Sequence, residues 1–355
     1  MNDSHFILGF LTSFLVVILA TPALIKVAKM KHLVDEPGEE RKLHQRSVPT
    51  IGGIIIFSGI LFAYSLWFPD AGVNLHQAIR EFKYLTASLI ILFFIGVKDD
   101  IIGTAPVKKL LAHIVVAFIL VMMGDIKITS MHGLFGVEEL PDWGSVLLSV
   151  FVYIVIVNAF NLIDGVDGLA SGVGVIAGLS FGAWFYFCEN YPLALLSFTL
   201  SGALIGFLIF NFSPAKIFMG DSGSLTIGCI ISVLAIRMIE TPVKQIPAEL
   251  KEVAVPVIVM AVLVYPLLDT LRVFFVRTVK GQSPFSADKN HLHHRLIKIG
   301  NSHAKTVLWI YFGNMMVVTA AFFTSPFGPT VCFILSLLSA AALAAIPFAF
   351  KVKEE

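Results

Sequence analysis

The chain has 355 residues, 57% of them hydrophobic and only 14% charged, with a mean hydropathy of +0.87. A soluble domain runs nearer ~45–50% apolar and ~25% charged, so that class is excluded. A net charge of +1, with no basic tail and no interleaving of basic and aromatic residues, gives no basis for a nucleic-acid partner.

Apolar runs of about 20 residues, each enough to cross ~30 Å of hydrocarbon, recur along the whole chain. The alternating ten-residue segments of a membrane β-barrel are absent. The sequence therefore predicts an all-α polytopic membrane protein, a single domain over residues 1–355, with about eleven transmembrane helices. They fall near 5–28, 51–68, 84–98, 106–124, 145–163, 169–188, 193–211, 223–239, 253–275, 305–323 and 331–350. The first run lacks a basic leader and is too long for a usual signal segment, so it reads as a retained helix. Cys188, Cys229 and Cys332 lie in apolar runs at unrelated spacings and read as small buried hydrophobes.

Polar residues of catalytic type punctuate these runs. After the first comes a loop with Lys42, His44, Arg46 and Pro49-Thr50-Ile51-Gly52-Gly53; Arg46 is a candidate phosphate contact, or an anchor to acidic lipid. Asp99 and Asp100 end the third run. Paired carboxylates suit Mg²⁺, a hard ion that takes oxygen ligands and shares carboxylates with substrate phosphates. Crowding the two charges also raises one pKa, as a general base requires. A solvated pair ending a helix is the alternative.

Next stands Asn158-Ala-Phe-Asn161-Leu-Ile-Asp164-Gly-Val-Asp167. Asn158 and Asn161 share a helix face, while Asp164 and Asp167 are each followed by Gly, which lets backbone approach a ligand. Such amides and carboxylates can read a base edge or sugar hydroxyls; a polar cap and tight turn is the bland reading. In the segment from Asn211 to Asp221, Asp221 opens a new apolar run beside Ser222 and Ser224. It is either an N-cap or a further metal carboxylate with a helix N-terminus turned to phosphate. Phe218 would stack on a flat ring or fill core.

Asp269 and Arg272 lie one turn apart after Pro266, which should kink the ninth span. Last, His291, His293 and His294 gather beside Lys289 and Arg295, a donor-rich group suited to phosphate better than to zinc.

Lys and Arg set the orientation. Nineteen lie on one set of loops and six on the other, which puts the first set in the cytoplasm, the N-terminus outside and the C-terminus inside. The same parity sends all four polar stretches to the cytoplasmic face. Ionisable groups are costly beside lipid, so their convergence at one face points to an enzyme rather than to a transporter, whose carboxylates would line a midplane path.

VKDDIIG, NAFNLIDGVDGLASG, NFSPAKIFMGDSGS and DKNHLHHRL resemble, in this order, the motifs of polyprenyl-phosphate N-acetylhexosamine-1-phosphate transferases. The resemblance runs from near residue 46 to the His cluster, and its HLHH form is similar to the WecA/TagO branch. It implies transfer of a sugar-1-phosphate, GlcNAc-1-phosphate first, from a UDP-sugar to undecaprenyl phosphate in the bacterial inner membrane, with release of UMP. This would begin a cell-envelope glycan such as lipopolysaccharide or teichoic acid. Phospho-N-acetylmuramoyl-pentapeptide transfer is the alternative within the class. The resemblance further implies Mg²⁺ or Mn²⁺ as cofactor, held by Asp221 and Asp100. Asp99, Asp100 and Asp221 would be catalytic. Asn158, Asn161, Asp164 and Asp167 would read the nucleotide, with Asn211 and Phe218 near the uracil. Arg46, Arg277, His291, His293 and His294 would hold phosphates. The oligomeric state stays open, a homodimer included.

Overall fold

The computed structural model describes residues 4–35, 48–69, 75–279, 281, 292–299 and 302–349. Thirteen helices make up nearly all of them: α1 (Ser4–Met30), α2 (Gly53–Leu66), α3 (Leu75–Ile102), α4 (Pro106–Phe118), α5 (Asp142–Ile163), α6 (Leu169–Phe187) and α7 (Tyr191–Asn211). The remainder are α8 (Gly220–Ile239), α9 (Val255–Val262), α10 (Val264–Val279), α11 (Leu292–Lys298), α12 (His303–Thr324) and α13 (Pro329–Ala349). Two-residue strands β1 (Val34–Asp35) and β2 (Val48–Pro49) pair antiparallel ahead of α2.

Every predicted apolar run contains a helix or a bent helix pair, but they are unequal. Seven helices, α1, α5, α6, α7, α8, α12 and α13, are singly long and apolar enough to cross a membrane, and the bent pair α9–α10 makes an eighth. The chain is thus a multi-pass membrane protein, with fewer self-sufficient spans than the eleven expected. The three others fall short for separate reasons. Helix α2 has 14 residues, ~21 Å of rise. Helix α3 has 28 residues but carries charge at both ends of its apolar stretch. Helix α4 has 13 residues before its winding loosens into a π turn over Ile119–Met123.

Helix α8 is the centre. It is buried on all sides, with Ser222, Ser224, Thr226 and Ser232 as well as its aliphatic residues below the surface. Helices α2, α3, α5, α6 and α9 pack around it, α1 and α7 flank α2 and α6, and α12 and α13 pair on the outer side of α9. A helix that is apolar all round has to be enclosed, and small residues let neighbouring backbones close on it. Two glycines mark the closest packing against α8: an added Cβ at Gly53 of α2 would collide with the backbone of Gly223, and one at Gly96 of α3 with the backbone of Ser222. Helices α3 and α8 run antiparallel and are tied at both ends. Asp100 holds the start of α8, and at its far end Arg237 Nη2 pairs with Glu81 at 2.9 Å, a carboxylate that also accepts from Gln77.

The expected kink at Pro266 is a 75° break between α9 and α10. Pro266 has no N–H to give the carbonyl four residues earlier, that of Val262, and its ring crowds that oxygen. The buried Asn314 of α12 repairs the break: Nδ2 donates to Val262 O at 3.0 Å, and Oδ1 accepts from Tyr265 N at 3.3 Å. In a membrane such freed groups need a protein partner.

Gly96→Ala should destabilise the detergent-solubilised protein by about 1–3 kcal/mol, because the colliding atoms are backbone and cannot turn aside. Gly313→Ala is the control: its nearest neighbour would be Leu343 at 3.8 Å, and its melting temperature should not fall. Equal melting of the two variants would contradict the packing described for α3 and α8.

Candidate active site

Helix α8 begins at half-buried Gly220 and Asp221 and passes at once to buried Ser222, so its first N–H groups face the protein and need acceptors there. The residue before Asp221, Gly220, has a φ of +70° and sits under the carbonyl of Thr50 and the carboxylate of Asp100, a place where a side chain would not fit. The cap comes from another helix. Asp100 at the end of α3 accepts from Asp221 N at 2.7 Å, Ser222 N at 3.1 Å and Ser222 Oγ at 2.6 Å. A carboxylate at a helix N-terminus is favoured by both the hydrogen bonds and the helix dipole. Burial nevertheless pushes Asp100 up to about 6, against these donors and with the Asp221 charge adding to the rise.

With Asp100 so engaged, its neighbours are brought into line. Lys109 of α4 donates to Asp99 Oδ2 at 2.8 Å and to Asp221 Oδ2 at 2.5 Å. The other oxygen of Asp221 accepts from Asn161 Nδ2 at 3.0 Å, and the same nitrogen reaches Ser224 Oγ at 3.0 Å. Side chains of Asp99, Lys109 and Asp221 keep 18%, 26% and 22% of their surface open, so the cluster is accessible from one side. Asp164, just past the end of α5, takes the N–H of Gly220, and its carboxyl is held well above the usual range by burial first, then by the charges of Asp221 and Asp100. Three helix ends thus deliver Asp99, Asp100, Asp164, Asp221 and Asn161 to one place, and the start of α4 adds Lys109.

The adjoining loops are fixed by other predicted residues. Asn211 is buried: its Oδ1 accepts from Gly168 N and Ser171 Oγ, and its Nδ2 donates to Ile217 O. Both ends of this amide therefore join the Asp167 loop to the segment before α8. Asp167 accepts from Ala215 N at 3.0 Å across the same join. Phe218 is half-buried, and its backbone pairs with Pro49 and Gly52, laying the Gly-Gly segment beside the site. Asn158 bonds back to Ile154 O of its own helix, one turn short of Asn161. Tyr311 of α12 donates to the carbonyl of Gly168, securing that loop from the other side.

A second group is carried by α10 and α11, beyond the 75° break. His293 is buried with Nδ1 3.1 Å from the Tyr265 hydroxyl, Asp269 accepts from Leu292 N at 2.7 Å, and Arg277 is buried nearby on α10. Arg46 and His291 lie outside the described residues, as does the side chain of His294.

Sequence reasoning missed Lys109, which entered only as a loop charge. Its signal was faint: a lysine on the first turn of an apolar run, ten residues after Asp99. It also bears on the cofactor. Among the described residues no three His, Cys, Asp or Glu side chains group as a ready metal site. Yet an ammonium bonded to two carboxylates at once marks a point where two oxygen donors can share one cation. Mg²⁺ is usually held by one or two carboxylates plus substrate phosphates, so the donor set fits that ion.

Residues 82–239, from α3 to the end of α8, match glycosyl transferase family 4. The decaprenyl-phosphate N-acetylglucosaminephosphotransferase of Mycobacterium tuberculosis (strain H37Rv) is 35% identical over 344 residues, covering 90% of this chain and 82% of the relative. A probable undecaprenyl-phosphate N-acetylglucosaminyl 1-phosphate transferase of Bacillus subtilis (strain 168) is 35% identical over 86% of this chain and 81% of its own length. The undecaprenyl-phosphate alpha-N-acetylglucosaminyl 1-phosphate transferase of Escherichia coli (strain K12) is 30% identical, over 78% and 72%. Likeness of this extent, running through every helix that carries the cluster, makes the chain a member of glycosyl transferase family 4, the polyprenyl-phosphate N-acetylhexosamine-1-phosphate transferases.

Proposed function

We propose that this protein transfers N-acetylglucosamine-1-phosphate from UDP-N-acetylglucosamine to undecaprenyl phosphate, releasing UMP and leaving a lipid-pyrophosphate-linked sugar. The observation that carries this reading is the set of Asp99, Asp221 and Asn161 around Lys109, at a helix N-terminus capped by Asp100. An ordered array of anions, an ammonium and backbone N–H groups is what transfer between two phosphate-bearing substrates requires. We place it at the cytoplasmic face of the bacterial inner membrane, with eleven crossings, the N-terminus outside and the C-terminus inside. The charge asymmetry of the loops supports that orientation.

The reaction is an in-line displacement: an oxygen of the prenyl phosphate forms a bond to the β-phosphorus of the UDP-sugar, and the bond to UMP breaks. The attacking phosphate is already largely ionised at neutral pH, so positioning matters more than proton removal. Asp99, whose described partner is Lys109, orients the incoming phosphate, while Asp100 holds the start of α8. Asp221 and Asp99 are the residues that would hold Mg²⁺, with Asp100 behind them. The ion would neutralise charge developing on the pyrophosphate. Lys109 shares its charge between the carboxylates and is within reach of a phosphate bound there. Asn161, Asp164 and Asp167 form the nucleotide wall with Phe218, while Asn158 and Asn211 keep its backbone in shape. His293 and Arg277 would complete the phosphate side; the same role, which the resemblance implies for Arg46, His291 and His294, falls on side chains outside those described. Both the bond made and the bond broken are phosphoanhydrides, so the step is reversible.

Purified protein given labelled UDP-N-acetylglucosamine and undecaprenyl phosphate should form lipid-linked product and matching UMP, and only with Mg²⁺ or Mn²⁺ present. Failure of a folded preparation with this and every other UDP-sugar, UDP-N-acetylmuramoyl-pentapeptide included, would overturn the reading. Asp221→Asn should lower turnover at least ~100-fold while the protein still inserts and melts normally, and Lys109→Met should lower kcat by a similar order. Near-normal turnover by a stable Asp221→Asn protein would remove the metal role given to Asp221.

A further inference from the structure

Gly168 closes the loop that carries Asp164 and Asp167, and it caps the start of α6 with a φ of +80°. Both of its backbone groups are held from distant parts of the chain. The N–H donates to Asn211 Oδ1 at 3.1 Å, and the carbonyl accepts from the hydroxyl of Tyr311. The first bond comes from the end of α7. The second comes from α12, 143 residues further on.

That carbonyl has donors enough without Tyr311. It already accepts from Gly172 N at 2.9 Å, within the first turn of α6, and from Ser171 Oγ at 3.1 Å. A group with two local donors gains little stability from a third, so the tyrosine does more for the position of the loop than for the carbonyl. The sequence also leaves room for this contact, because an added Cβ at Gly172 would fall on the Tyr311 hydroxyl. Tyr311 shares a face of α12 with Asn314, one turn on. Asn314 is bonded to Val262 and Tyr265 at the break between α9 and α10. One turn of a single helix is thus tied to the nucleotide loop at one residue and to the rigid helix break at the next.

We propose that Tyr311 is a positioning residue for the donor nucleotide: through the carbonyl of Gly168 it holds the loop of Asp164 and Asp167 where the UMP half of the UDP-sugar binds. The proposal rests on the transferase reading and deepens it. Tyr311 touches no reacting atom, and its effect passes through the loop alone. A contact that supports the nucleotide equally before and during the reaction sets KM rather than kcat.

The test is Tyr311→Phe in the full chain, which keeps the ring and removes only the hydroxyl. Gly168 O retains its other two donors, so the variant should melt like the unaltered protein. Its KM for UDP-N-acetylglucosamine should rise about fivefold, the scale of one hydrogen bond. The inhibition constant of UMP should rise by the same factor. Values of kcat and of KM for undecaprenyl phosphate should stay within about twofold. Gly172→Ala displaces the same hydroxyl, the far end of a side chain, and should give a similar rise. The double variant should show no more than either change alone, since both break one bond. A merely structural role would lower kcat through a smaller folded fraction and leave both KM values unmoved, and that result would overturn the proposal. So would an unchanged KM for the UDP-sugar, or a raised KM with UMP inhibition unaltered, which would move the contact to the sugar. In each of these cases the unaltered protein still turns over. An unaltered, folded protein that accepts no UDP-sugar would instead remove the transferase reading, and this proposal with it.

Discussion

The structure depends on how the buried start of α8 is capped. The start of α8 is packed against α3, and its first N–H groups, once turned into the protein, need acceptors there; a buried one left unpaired costs about 1–3 kcal/mol. Asp100 supplies three hydrogen bonds from another helix, to Asp221 N, Ser222 N and Ser222 Oγ. Hydrogen bonds to a charged acceptor are worth roughly 1.5–3 kcal/mol each, so this contact outweighs most others at the interface. It also fixes a geometry. Helix α3 is clamped antiparallel to α8, with Glu81 and Arg237 closing the far end, and Asp99 and Asp221 are held on facing helix ends as a consequence.

That consequence is unfavourable unless balanced. Two carboxylates held close, with Asp100 and Asp164 behind them, would repel one another in a medium of low dielectric. Lys109 offsets the repulsion by bonding to both. The cluster therefore rests as a balanced ion network, and a phosphate substrate with its divalent cation would redistribute the same charges. The residues that fix the fold here are the same ones proposed for the chemistry, which would account for so many ionisable groups at the end of a membrane core.

Much of this was legible in the sequence. Apolar length gave each predicted run its helix, though not α11, and the acids at the ends of apolar runs are the ones the fold gathers at the start of α8, because lipid penalises such residues strongly enough that their placement carries information. What was not legible depended on partners far along the chain. The role of Asn211 is set by Gly168 and Ile217, and nothing local to it distinguishes a loop clamp from a base-reading amide. Pro266 announced a kink, but the size of the break and its repair by Asn314, 48 residues later, are matters of tertiary packing. Lys109 looked like one more positive charge in a loop. Eleven crossings are more than the helices carry singly: seven helices and the bent pair α9–α10 are long and apolar enough to cross a membrane, while α2 and α4 are too short to cross alone.

The central claim is that Asp99 and Asp221 form one cation site, organised by the Asp100 cap and held ready by Lys109. Electron paramagnetic resonance of Mn²⁺ titrated into the purified protein with UDP-N-acetylglucosamine tests it without requiring turnover. The account predicts one bound Mn²⁺ per chain, with affinity reduced at least ~10-fold by Asp221→Asn and again by Asp99→Asn, the loss of one carboxylate ligand each time. Unchanged Mn²⁺ affinity in both variants would contradict it, and would place the cation elsewhere in the protein.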